Sequence, residues 1–95
     1  MPIQTRIIKT DGTEVPIKPE NGRHFELKEI QTHVGGYIEL VRTKDAGKDC
    51  LMVCDEDGIA KRLPQNPKAT QFYLKAGGGS PIFGNVVICG LRQIH

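Results

Sequence analysis

The chain has 95 residues, 38% of them hydrophobic and 25% charged, and its 13 basic and 11 acidic side chains leave a net charge of +2. That is one domain's worth of chain, and it is not a disordered composition. Basic and acidic residues are interspersed rather than clustered, which argues against a dedicated nucleic-acid face, and the longest apolar run, Cys50 to Cys54, is far too short to cross a membrane.

In chain order, Ile3 to Thr10 and Thr13 to Ile17 read as strands joined at Asp11-Gly12, a dipeptide suited to a two-residue hairpin turn with positive φ. Pro16 removes a ladder donor and marks the second strand as an edge. Lys18 to Gly22 is loop chemistry. Leu27, Ile30, Gln31 and Val34 recur at helical spacing, predicting a helix over Glu26 to Val34 capped by Gly35. Tyr37 to Arg42 alternates as a strand, with Tyr37, Glu39 and Val41 on one face and Ile38, Leu40 and Arg42 on the other. Thr43 to Asp49 reads as a polar loop.

Cys50 to Cys54 is the next strand, followed by the acidic turn Asp55-Glu56-Asp57-Gly58 and a short return strand, Ile59 to Arg62. Asn66-Pro67 pairs an N-cap with a proline at the first helical position, predicting a helix with Ala69, Phe72, Tyr73 and Ala76 as its buried stripe. Gly77-Gly78-Gly79 ends it. Ile82 to Cys89 is the last strand, interrupted at Gly84. The expected fold is α+β: a small, mainly antiparallel sheet of five to six strands with two short helices on one face, forming a single domain over residues 1–95.

The segments THVGGYIELV, LMVCDEDGIAKRLPQNPKAT and IFGNVVICG carry a resemblance. They resemble a family of small domains of unknown function scattered through bacterial genomes, plasmids and phages. The match falls on Val34 to Glu39, Asp55 to Gly58, Leu63, Pro64, Asn66, Gly84 and Asn85. The glycine-rich stretch before Pro81 departs from the family's usual pattern. The resemblance implies a mobile-element setting, where small proteins inhibit host machinery or sequester a host signal. It brings no chemistry with it.

The candidate chemistry is sparse. Cys50, Met52 and Cys54 share a strand face, but their spacing is not that of a zinc site, and three cysteines fit buried free thiols in a reducing compartment. His33 near a helix end complements the helix dipole. Asp55 to Asp57 lacks the length and flanking helices of a calcium loop. The glycine run follows a helix instead of opening one, so it reads as a mobile loop or lid over residues 77–80, not a phosphate cradle. The sharpest group is Tyr37, Glu39, Arg42 and Asn66: Tyr37 could stack on a planar ligand while Glu39 accepts its hydrogen bonds, with Arg42 and Asn66 nearby. The plainer alternative is a half-exposed sheet face with Asn66 only capping a helix.

The expectation is therefore a cytoplasmic, non-enzymatic binding module with no cofactor and no metal. It would act stoichiometrically on a host protein, as in counter-defence, or by sequestering a small, nucleotide-like ligand. The rival is a structural protein that self-assembles into a homo-oligomer through its exposed strands. A small enzyme is the third reading.

Overall fold

A computed structural model describes residues 3–94. Its elements are β1 (Arg6–Ile8), β2 (Glu14–Pro16), α1 (Leu27–Val34), β3 (Ile38–Asp45), β4 (Lys48–Asp55), α2 (Pro67–Lys75) and β5 (Val86–Cys89). The strands form one five-stranded sheet in the order β2-β1-β5-β4-β3, and every pairing is antiparallel. The α+β architecture expected from the sequence is the one observed, with five strands and two helices.

The helices do not share a face, as the sequence reading had them. Side chains alternate along each strand, and the buried residues divide accordingly. Ile8, Cys50, Met52, Cys54, Val86 and Ile88 pack under α2 with Ala69, while Leu51, Val53, Val87 and Cys89 pack under α1 with Ile30, Val34 and Phe25. A strand covered on both sides becomes a continuous apolar run. Leu51 to Cys54 and Val86 to Cys89 are such runs, and all eight residues are buried. β5, the last strand in the chain, lies in the middle of the sheet.

Local chemistry accounts for the helix ends. Gly35 adopts φ 98° and returns its N–H to Gln31 O, closing α1. Asn66 caps α2 by accepting from Ala69 N, with Pro67 at the first turn. Of the stripe expected on α2, Ala69 is buried and Phe72 and Tyr73 are half-buried, but Ala76 is exposed.

Several boundaries move. The first two strands contract to Arg6–Ile8 and Glu14–Pro16, because the turn between them is longer than Asp11-Gly12. Gly12 N donates to Lys9 O at 3.0 Å and Lys9 N to Thr13 O at 2.8 Å, and only Gly12 takes positive φ. This is the three-residue hairpin loop with a left-handed glycine. The expected loop Thr43 to Asp49 is mostly strand: β3 and β4 continue to a two-residue turn at Ala46-Gly47, with φ of 51° and 81°.

The return strand over Ile59 to Arg62 does not form. Successive turns occupy that stretch, and Arg62 takes a positive φ within them. The last strand begins at Val86 instead of Ile82. Among the described residues, no helix is long and apolar enough to cross a membrane.

Candidate functional site

The four residues singled out in the sequence do not converge. Glu39 lies across from Cys54, on the α2 side of the sheet. There it lines a cleft of about 120 Å³ with Val41, Tyr73, Ser80, Ile82 and Phe83. Tyr37, just before β3, is 70% exposed, and its carbonyl accepts from Glu56 N at 2.8 Å, so the ladder continues through its backbone. Arg42 lies across from Leu51, whose side chain is in the α1-side cluster. Residues directly opposite in an antiparallel pair share a face, so Arg42 projects away from Glu39.

Asn66 is fully buried and committed to structure. Its Oδ1 accepts from Ala69 N at 3.1 Å, and its Nδ2 donates to Ile8 O and Gly84 O, both at 2.9 Å. The amide thus ties α2 to β1 and to the bend before β5. No hydrogen-bonding capacity of its N–H groups is left for a ligand.

Other motif residues have equally structural duties. The Asp55 carboxylate accepts from Lys61 Nζ and Asp57 N, both at 2.8 Å, and Lys61 also reaches Gly35 O at 3.3 Å. Burial alone would push the Asp55 carboxyl up, but its hydrogen bonds with Lys61 and Asp57 N and the Lys61 charge hold it below the usual carboxylate range. A Cβ at Gly36 would meet the Lys61 ammonium and approach the Asp55 carboxylate, so a side chain there would have to push the flexible end of Lys61 away from its partners.

The thiols are poor nucleophiles. Desolvation, with a smaller push from neighbouring carboxylates, raises Cys50 to about 11 and Cys54 to about 12, and desolvation raises Cys89 to about 12. All three are free and buried. Among the described residues, no group of three or more His, Cys, Asp or Glu side chains could hold a metal ion.

A second polar network, which the sequence did not suggest, crosses the α2 side. Arg6 Nε donates to Glu14 at 2.6 Å and its Nη1 to Asp45 at 2.8 Å, while Lys68 pairs with the other Glu14 oxygen at 2.9 Å. The Arg6 guanidinium sits 5.7 Å from the Phe72 ring centroid. An open groove of about 540 Å³ runs beside this network, lined by Lys44, Asp45, Phe72 and Lys75 among others.

What remains open is the outer edge of β3. Antiparallel ladders alternate between residues bonded to the partner strand and residues whose N–H and C=O point away. The two-residue turn closes on Asp45 and Lys48, and Tyr37 O accepts from Glu56 N, so the odd-numbered residues bond to β4. Ile38, Leu40, Arg42 and Lys44 therefore direct their backbone groups outward. Leu40 is 48% exposed, and Arg42 and Lys44 are exposed beside it. The sequence reading placed part of this edge in a loop and so missed it; the alternation from Ile38 to Lys44 was the available signal.

The family described as "Domain of unknown function (DUF3846)" matches residues 5–94. No curated protein and no solved structure shows a significant match. With nearly all of its length matched, the chain belongs to that family.

Proposed function

We propose that this domain is a non-enzymatic binding module that works stoichiometrically, by taking an extended segment of a partner protein onto the open edge of β3. The observation that supports it is the edge itself: eight residues long, at the end of the sheet, with Leu40 exposed on it and Tyr37 exposed just before it. Main-chain groups on such an edge supply affinity and alternate side chains supply selectivity. The three thiols are buried, and Arg6, Glu14, Asp45 and Asp55 are tied into ion pairs, which favours holding over turnover.

Sequestration of a small ligand is the weaker reading of this site. The cleft beside Glu39, at about 120 Å³, is well below the roughly 300–1,000 Å³ typical of ligand pockets, and the groove beside Arg6, at about 540 Å³, has the size but does not include Glu39, Tyr37 or Arg42. In a cytoplasmic protein of a bacterial, plasmid or phage genome, a module of this kind would block a host protein by occupying one of its strands, as in counter-defence.

Native mass spectrometry of the gently purified protein, combined with hydrogen exchange, tests the reading. The expected result is a partner chain at fixed stoichiometry that protects the Leu40 and Arg42 amides and is lost with Leu40→Pro. A complex kept by Leu40→Pro, or a bound small molecule with β3 still unprotected, overturns it.

A further inference from the structure

We infer that the segment received by β3 is acidic and apolar in a fixed order: two acidic residues at alternate positions, then two apolar residues at alternate positions, running antiparallel to β3. The inference rests on the strand-addition reading above and adds the chemistry of the partner.

The α1 side of the edge dictates this order. Ile38, Leu40, Arg42 and Lys44 alternate along it, so its first half is apolar and its second half cationic. Ile38 is the β3 residue packed into the α1-side cluster. Leu40, Arg42 and Lys44 lie beyond the cover of that helix and are exposed. Lys44 has Asp49 across from it on β4, whereas Arg42 has Leu51, so Arg42 is the charge that lacks a carboxylate across the strand. An added antiparallel strand begins opposite Lys44 and ends opposite Ile38. Read in its own direction, it places an acidic residue opposite Lys44, another opposite Arg42, and apolar residues opposite Leu40 and Ile38.

The α2 side adds a size limit. Thr43 is 3% exposed, and its hydroxyl donates to Phe72 O at 2.6 Å, so α2 passes close over this part of β3. Residues opposite Thr43 and Val41 must be small or β-branched, while a lysine opposite Glu39 meets an exposed carboxylate. Antiparallel addition continues the pattern of every other pair in the sheet.

The probe is the synthetic peptide acetyl-Thr-Glu-Val-Glu-Thr-Ile-Lys-Val-amide, assayed by calorimetry or fluorescence against the whole protein. Binding with a Kd below about 1 mM is expected, weakening roughly tenfold with Arg42→Glu and, for the unsubstituted protein, weakening in added salt. The double variant Arg42→Glu, Lys44→Glu should instead prefer a probe with lysines in place of its two glutamates. Peptides N-methylated at the residues facing Lys44, Arg42, Leu40 and Ile38 should not bind, while methylation at the alternate residues should be tolerated. That comparison leaves the protein's own folding untouched.

Equal binding of acidic and lysine probes, both abolished by Leu40→Pro, overturns the charge order and leaves strand addition standing. Binding indifferent to N-methylation and to Leu40→Pro overturns both. Absence of binding at about 1 mM, or sedimentation of a dimer that Leu40→Pro dissociates, overturns the acidic segment; the dimer would assign the edge to a second copy of this chain.

Discussion

The two ends of the sheet handle the same problem differently. β2, at one end, is three residues long, and Pro16 interrupts its outward row. Ile17 N donates to Thr5 O and Lys9 N to Thr13 O, so Glu14 and Pro16 are the residues facing away from β1, and one of them has no N–H. β3, at the other end, is eight residues long and presents four outward residues that all keep their amides. Edges are usually blunted by shortness, proline or charge. β2 has the first two, and β3 has only charge, which discourages one class of partner and invites another.

The same contrast shows how β3 is held. At its start, Lys61 spans Asp55 and Gly35 O. At its end, Arg6 reaches across from β1 to Asp45. An edge anchored at both termini and open between them is presented in extended form, which lowers the ordering cost of binding.

The largest expected effect tests the parity of β3 directly. Val41→Pro removes an amide bonded to β4 and should cost about 3 kcal/mol or more, whereas Leu40→Pro removes an outward amide and should cost under about 1 kcal/mol. Urea unfolding measures both. Equal losses would mean that the inward and outward rows have been exchanged and that the contrast with β2 rests on the wrong residues.

Next in size is the anchor at the start of β3. Lys61→Met leaves the Asp55 carboxylate, whose side chain is 1% exposed, without its counter-charge, and should cost about 2 kcal/mol near neutral pH. The folded Asp55 pKa is depressed, so the stability it confers is present above the unfolded value of about 3.9 and is lost as pH falls through the lower folded value. The gap between wild type and Lys61→Met should therefore close on acidification below about pH 4. A gap that stays constant to pH 2 would place the effect in packing, not charge.

The anchor at the other end should be weaker. Arg6→Met leaves Asp45 and Glu14, whose side chains are 21% and 36% exposed, partly solvated, and should cost about 1–2 kcal/mol. Its sharper consequence is local: amide exchange should quicken at both the β2 edge and the Ala46-Gly47 turn, because one guanidinium serves both. Faster exchange at β2 alone would show that β3 does not depend on Arg6.

How far this contrast could be read from the sequence varied along the chain. Pro16 named the blunt edge, because a missing donor is a property of one residue type. Asn66-Pro67 named the start of α2 for the same reason. The open edge was harder to see. Lys44, Asp45, Lys48 and Asp49 extend past the core, so they have the polarity of a loop while forming a ladder, and Ala46 is not a residue that announces positive φ. The return strand expected at Ile59 to Arg62 failed because its pattern was local, whereas Lys61 answers to a buried carboxylate six residues back. The placement of helices on both faces was within reach, since Leu51 to Cys54 and Val86 to Cys89 lack the alternation of a half-exposed sheet. Among the candidate residues, Glu39 and Arg42 share the strand that matters but oppose each other across it, and no feature of Asn66 in sequence separates a cap from a ligand contact.

The smallest effect concerns the blunt edge. Pro16→Ala restores the missing N–H and should lower stability by only about 0.4–1 kcal/mol, through the freer unfolded chain. If an outward amide were enough to make a docking edge, this variant would gain association. It should not, because a strand of three residues offers too short a row for an added strand to register against. Unchanged sedimentation of Pro16→Ala over a wide concentration range would place the difference between the two edges in length as much as in chemistry. A new, concentration-dependent dimer would show that one proline is what keeps β2 closed.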